Sequence, residues 1–164
     1  MASKKHKKTN AMRLLTQGGI DYEVYTYRWK EDDLDARQVG PEIDRPDEMI
    51  FKTLLATGDK TGPIVAVIPS YLSIVLKKLA QVSQNKKVEM LPLKDLEKTT
   101  GYIRGGCSPI GMRHRLPTYI DGHIDGLDEV IVSAGQRGLQ VGLKPADLVA
   151  FTEALVVDIT MAHL

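Results

Sequence analysis

MIFKTLLATGDKTGPIVAVI, Met49 to Ile68, is the stretch that decides the fold. Met49 to Ala56 is apolar apart from Lys52 and Thr53, and reads as a strand. Gly58 to Gly62 makes a turn, and Pro63 to Ile68 is a strongly apolar run with the length of a buried strand. Two strands joined by so short a turn pair antiparallel. Period-2 alternation in the first strand sets Ile50, Lys52 and Leu54 on one face and Phe51, Thr53 and Leu55 on the other. Lys52 is therefore the odd residue. A buried ammonium is costly unless an anion meets it. Two readings stand: an edge strand whose lysine snorkels to water, or a cation held for an anionic ligand.

The flanks supply the other elements. Asn10 to Gln17 suits a short helix, with Thr9 or Asn10 as cap and Gly18-Gly19 as stop. Tyr22 to Tyr27 alternates as a strand does, and Asp33 to Glu42 holds a short helix. Ser70 to Val82 has Leu72, Val75, Leu76 and Leu79 at helical spacing, so an amphipathic helix is expected. Val88 to Met90 reads as a brief strand, and Pro92 to Thr99 as a helix with Pro92 at its first position. Thr118 to Ile120, Glu129 to Ser133 and Leu139 to Leu143 read as strands, Pro145 to Leu155 as a helix, and Val156 to Ile159 as a closing strand. The pattern is a single mixed α/β domain, mostly antiparallel.

Composition narrows the function. At 164 residues the chain suits one domain with a real core. Its division is a basic tail over 1–8, with Lys4, Lys5, Lys7 and Lys8, and a folded domain over 9–164. No apolar run approaches membrane-spanning length, and no apolar segment of a secretory signal follows the basic start. A formal net charge of +1 argues against a general nucleic-acid coater and leaves room for a brief visit by an RNA end. The paired cations Lys77-Lys78, Lys86-Lys87 and Arg113-Arg115 read as solvated faces. One cysteine, Cys107, excludes an internal disulfide and fits a reducing cytoplasm. The four histidines are scattered without zinc-site spacing, so neither metal nor cofactor is expected.

A second stretch carries chemical promise. GYIRGGCSPIG, Gly101 to Gly111, has four glycines besides one proline and one serine. Glycines let backbone N–H groups approach a ligand, and such a loop can donate to an oxyanion or a phosphate. It lacks a Walker Gly-Lys-Ser/Thr triplet and does not read GxGxxG. A tight structural connection is the plainer reading.

Phe51-Lys52-Thr53-Leu54 and the glycine loop, about fifty residues apart, together resemble the YbaK/EbsC family, the freestanding trans-editing deacylases of Cys-tRNA(Pro). Lys86 to Met90, Thr100-Gly101-Tyr102 and Ser133 to Leu139 extend the resemblance over roughly Thr9 to Ile159. The family is related to the insertion domain of bacterial prolyl-tRNA synthetases. The resemblance implies a strongly curved central sheet flanked by helices. It implies that Lys52 holds the terminal ribose-phosphate, that Thr53 lies beside it, and that the amides of Gly105 and Gly106 face the reactive ester. It further implies pocket roles for Tyr27, Ser108, Gln140 and Asp147. Gln140 stands where relatives often have serine, and Leu34-Asp35 where some have an aromatic; both bear on the shape of the pocket.

By the same resemblance the substrate is the 3′ end of Cys-tRNA(Pro), and the substrate's own thiol attacks its ester to leave as a thiolactone. An aminoacyl ester is already activated, so placing the nucleophile and stabilising the oxyanion suffices. Prolyl-tRNA synthetase is the expected partner, DNA and membrane are not, and the cytoplasm is the expected location. Three alternatives remain: a covalent Cys107–His114 mechanism, editing of another amino acid such as alanine with water as nucleophile, and a non-catalytic module for a tRNA end or a synthetase surface. Capping suffices to explain Asp147, core filling Tyr27, and turn shaping Ser108 and Ser133. His123 is expected to be exposed.

Overall fold

The computed structural model describes residues 8–29 and 39–162. The decisive stretch is a hairpin: β2, Phe51–Gly58, pairs antiparallel with β3, Gly62–Pro69, from Phe51 opposite Pro69 to Gly58 opposite Gly62. Its turn is clamped by Asn85, whose Oδ1 accepts from the amides of Lys60 and Thr61 and whose Nδ2 donates to Thr61 and Ser83. Asp59 beside it accepts from the amides of Lys86 and Lys87.

The chain begins with α1, Asn10–Gln17, capped by the Thr9 hydroxyl, which accepts from the Met12 amide. β1 is Glu23–Thr26 and α2 is Val39–Ile43. The expected helix over 33–42 is present from residue 39 onward; residues 33–38, with Leu34 and Asp35, lie outside the described residues, as do residues 1–7 of the basic tail.

Three expectations change beyond β3. Leu72–Ile74 is a strand, β4, and the helix α3 spans only Leu76–Ser83. The apolar spacing suits a helix, but β4 is claimed by a distant partner: it pairs antiparallel with β10, Thr160–Ala162. The expected closing strand accordingly divides into β9, Leu155–Val157, and β10. Pro92 is not the first residue of a helix. It caps a short 3-10 turn, Leu93–Asp95, that leads into α4, Leu96–Thr100. Between come β5, Val88–Met90, and, after the glycine loop, β6, Thr118–Asp121; β7, Val130–Gln136, β8, Leu139–Leu143, and α5, Pro145–Thr152, precede β9.

The fold is mixed α/β, as expected. Strand pairing divides into three sheets rather than one strongly curved sheet: β5-β2-β3-β6-β9, β1-β8-β7, and β10-β4. The β3–β6 and β6–β9 pairs are parallel and the other pairs antiparallel. The five-stranded sheet is covered on both faces. Phe51, Leu55, Val65, Val67 and Ile120 pack with β7, β8, α1 and α5. Ala56, Ile64, Ala66, Ile68 and Tyr119 pack with α3. An isolated parallel bridge between Ile50 and Ile131 joins the start of β2 to β7. A cavity lined in part by Ile50 and Phe51 opens beside that join.

Candidate active site

β5 pairs only with Ala56–Gly58, so among the described residues the first half of β2 has no strand partner on that side. Residues of both alternating sets therefore border one cavity of about 440 Å³, within the usual range of small-ligand sites. β2 contributes Lys52 and Thr53, the end of β1 Tyr27, the glycine loop Gly105 and Cys107, and the facing strands Ser133 and Gln140, which are cross-strand partners. Lys52 is half-buried on this half of β2, where it borders the cavity. Among the described lining residues every charged side chain is a cation: Arg28, Lys52 and Arg104.

The glycine loop is shaped by a turn from Ile103 to Gly106, closed by the Gly106 amide donating to Ile103 O at 3.0 Å. Gly105, at the third position, has φ +85°, the conformation a type II turn requires there. Among the described residues no acceptor meets the Gly105 N–H, so it can donate to a ligand in the cavity it lines. Gly106, expected as a second donor, is engaged otherwise. Its amide closes the turn, and it is buried with a Cβ position only 3.1 Å from Arg137 N. Its smallness lets the glycine loop touch the β7–β8 turn. The Tyr102 hydroxyl ties the loop together by donating to Ile110 O.

Two other expected residues lie apart. Ser108 is fully buried and its hydroxyl accepts from the Ile110 amide, so it shapes the loop and does not line the cavity. Asp147 occupies the first turn of α5, also outside the lining. Two polar atoms within the lining are conspicuous. Thr53 Oγ1 and Gln140 Oε1 are buried without a hydrogen-bond partner. Buried acceptors and donors are normally paired, and orphaned ones call for a ligand or water.

Cys107 and His114 do not form a pair. Cys107 lines this cavity, whereas His114 is exposed and borders a separate depression with Phe151 and Thr152. Burial pushes the Cys107 thiol up to about 12, only partly offset by a hydrogen bond with Thr100, so at neutral pH it is a protonated, weak nucleophile. His123 is exposed, as expected, and sits against Asp121 in the turn that follows β6. Among the described residues no cluster of three or more histidine, cysteine, aspartate or glutamate side chains can hold a metal, and no helix is long and apolar enough to cross a membrane.

Sequence reasoning missed the rim. Trp29, Arg28 and Arg104 line the mouth of the cavity, and Arg137 stands over Trp29. The signal available was the chain's single tryptophan, next to an arginine at the end of a strand.

Residues 34–151 match the model of the aminoacyl-tRNA editing domain. The chain belongs to that family. An Enterococcus faecalis protein provisionally named a Cys-tRNA(Pro)/Cys-tRNA(Cys) deacylase, EbsC, is 51% identical over 161 residues, covering 98% of both chains. Among solved structures, one described provisionally as a trans-editing enzyme for prolyl tRNA synthetase has a TM-score of 0.81 at 22% identity, covering 96% of this chain and all of the other. A hypothetical protein, APE2540, gives 0.82 at 17% identity, covering 91% and 97%. These two likenesses bear on the fold, which is that of editing-domain proteins.

Proposed function

We propose that this protein is a trans-editing aminoacyl-tRNA deacylase that removes cysteine from mischarged Cys-tRNA(Pro). The reading is supported by near full-length identity to the EbsC relative. One structural observation carries its mechanism: among the described residues the cavity offers a cation, an unpaired amide and neutral polar groups, and no activated protein nucleophile. The nucleophile then comes from the substrate.

In this mechanism the Lys52 ammonium holds the phosphate or ribose of the terminal adenosine, and the Gly105 N–H faces the ester carbonyl. The cysteinyl sulfur attacks that carbonyl carbon. The ester C–O bond breaks, the proton from the thiol ends on the departing ribose hydroxyl, and cysteine leaves as a thiolactone that water opens. Tethering supplies the proximity, so the protein's task is to hold one rotamer and stabilise the oxyanion. Thr53 and Gln140 offer the unpaired oxygens that receive the amino-acid portion. Proline, alanine and serine esters lack the thiol and survive.

The near-neutral charge gives few phosphate contacts, so the isolated protein selects tRNA weakly. We therefore place it in the cytoplasm beside prolyl-tRNA synthetase, which chooses the tRNA. The deciding experiment is a deacylation panel of tRNA(Pro) charged with cysteine, alanine or proline. Rapid loss of cysteine alone is the expected result. Equal loss of alanine would require water as nucleophile, and no turnover of any ester would leave only a binding module.

A further inference from the structure

We propose that Trp29, with Arg137 fixed over it, is a stacking platform for a nucleobase of single-stranded RNA next to the aminoacylated terminal adenosine. The proposal rests on the preceding reading of the cavity as the site of the aminoacyl end, and extends it to the path of the strand leading there.

Trp29 follows β1 and stands at the mouth of the cavity with 45% of its surface exposed. A tryptophan serving only the core would be more deeply hidden. Its position is nevertheless built. A Cβ at Gly138 would come 2.8 Å from Trp29 Cδ1, so the indole rests where only a glycine leaves room. The Arg137 guanidinium lies 5.2 Å from the ring centroid, and its Nε donates to Arg104 O at 2.8 Å. One arginine thus ties the indole to the glycine loop that carries Gly105. Two further arginines border the cavity: Arg104, and Arg28, whose side chain is 95% exposed and lies 3.6 Å from the Glu42 carboxylate.

An exposed aromatic ring with a guanidinium over it, at a cavity bordered by further arginines, matches the chemistry of single-stranded RNA. Bases stack on the ring or on the guanidinium plane, and the phosphates between them meet the cations. A purely apolar protein anchor would gain nothing from the Arg137 guanidinium held over the ring. The terminal adenosine enters toward Lys52, so the base on Trp29 is a neighbour of that residue in the strand.

Because Trp29 is the only tryptophan, its emission in the full-length protein reports on this position alone. Titration with a short uncharged RNA ending in CCA should give saturable quenching that weakens as salt rises. The same RNA with an abasic penultimate nucleotide should bind about ten-fold more weakly. In kinetics, Trp29→Ala should raise KM for Cys-tRNA(Pro) about ten-fold more than KM for cysteinyl-adenosine, which has no neighbouring base, and Trp29→Phe should restore most of the difference. Absence of quenching at RNA concentrations that competitively inhibit deacylation overturns the platform, as does an equal KM change on the two substrates. The fluorescence measurement needs no turnover. A protein that deacylates neither substrate loses the deacylase reading, while quenching still decides the platform.

Discussion

Two regions bury polar groups, and they treat them in opposite ways. At the join of β6, β9 and β10 the carboxyl group of Asp121, fully buried, accepts from the amides of His123 and Ile159, from the Thr160 hydroxyl and from the His123 ring. Asn85 is saturated in the same manner beneath the β2–β3 turn. In the cavity between β2 and β8, Thr53 Oγ1 and Gln140 Oε1 are buried and unpaired. Saturated groups make a fold unique, whereas orphaned ones cost stability until something binds. On the proposed mechanism, the difference separates residues that hold the chain together from residues that receive the substrate. Ser70 Oγ, also unpaired, lies outside the cavity, and nothing in the structure explains it.

The comparison predicts that stability and activity respond separately. Lys52→Ala should produce the largest change, a loss of deacylation of about 10²-fold or more, since misplacing the ester has that order of effect. Circular dichroism and urea midpoints should show a folded protein. A folded variant with full activity would remove Lys52 from the site. Asp121→Ala should act in the opposite sense, destabilising by about 3 kcal/mol because several buried donors lose their acceptor. Its kcat at a permissive temperature should remain that of the parent, and a selective fall in kcat would erase the boundary between the two regions.

Thr53→Val sharpens the contrast. Removing an unpaired buried hydroxyl should leave stability unchanged or raise it by about 1 kcal/mol, while turnover of Cys-tRNA(Pro) falls. Destabilisation in a urea melt would mean that the hydroxyl already has a partner. Cys107→Ser should have the smallest effect on turnover, with activity near that of the parent; a collapse would point to an acyl-enzyme. The same variant carries a pH signature. Burial raises the folded thiol from its ordinary 9.0 to about 12, so the unfolded chain loses its proton first. The thiol's contribution is fully present below pH 9 and declines as pH rises toward 12. Thermal midpoints of the parent should fall more steeply over that window than those of Cys107→Ser.

Much of the architecture was legible because local rules and the final packing agree. Thr9 caps α1, Pro145 opens α5, and Gly58–Gly62 turns between two apolar strands. The misread segment, Leu72–Ile74, shows where locality ends. Its spacing satisfies a helix, yet hydrogen bonds from β10, nearly ninety residues later, draw it into a strand. Gly106 was misread for a similar reason: composition marks a loop rich in donors, but only the closed turn shows which amide is already spent.

By itself the sequence determined the α/β class, the hairpin carrying Lys52 and Thr53, and the glycine loop, because alternation, turn residues and helix caps are properties of neighbouring residues. Only the tertiary structure decided that β5 stops short along β2, that Gly105 rather than Gly106 keeps an unpaired amide in the cavity that Lys52 also lines, and that Trp29 stands at the mouth under Arg137. Those facts depend on groups from distant parts of the chain competing for the same space and the same hydrogen bonds. Sequence order does not express that competition.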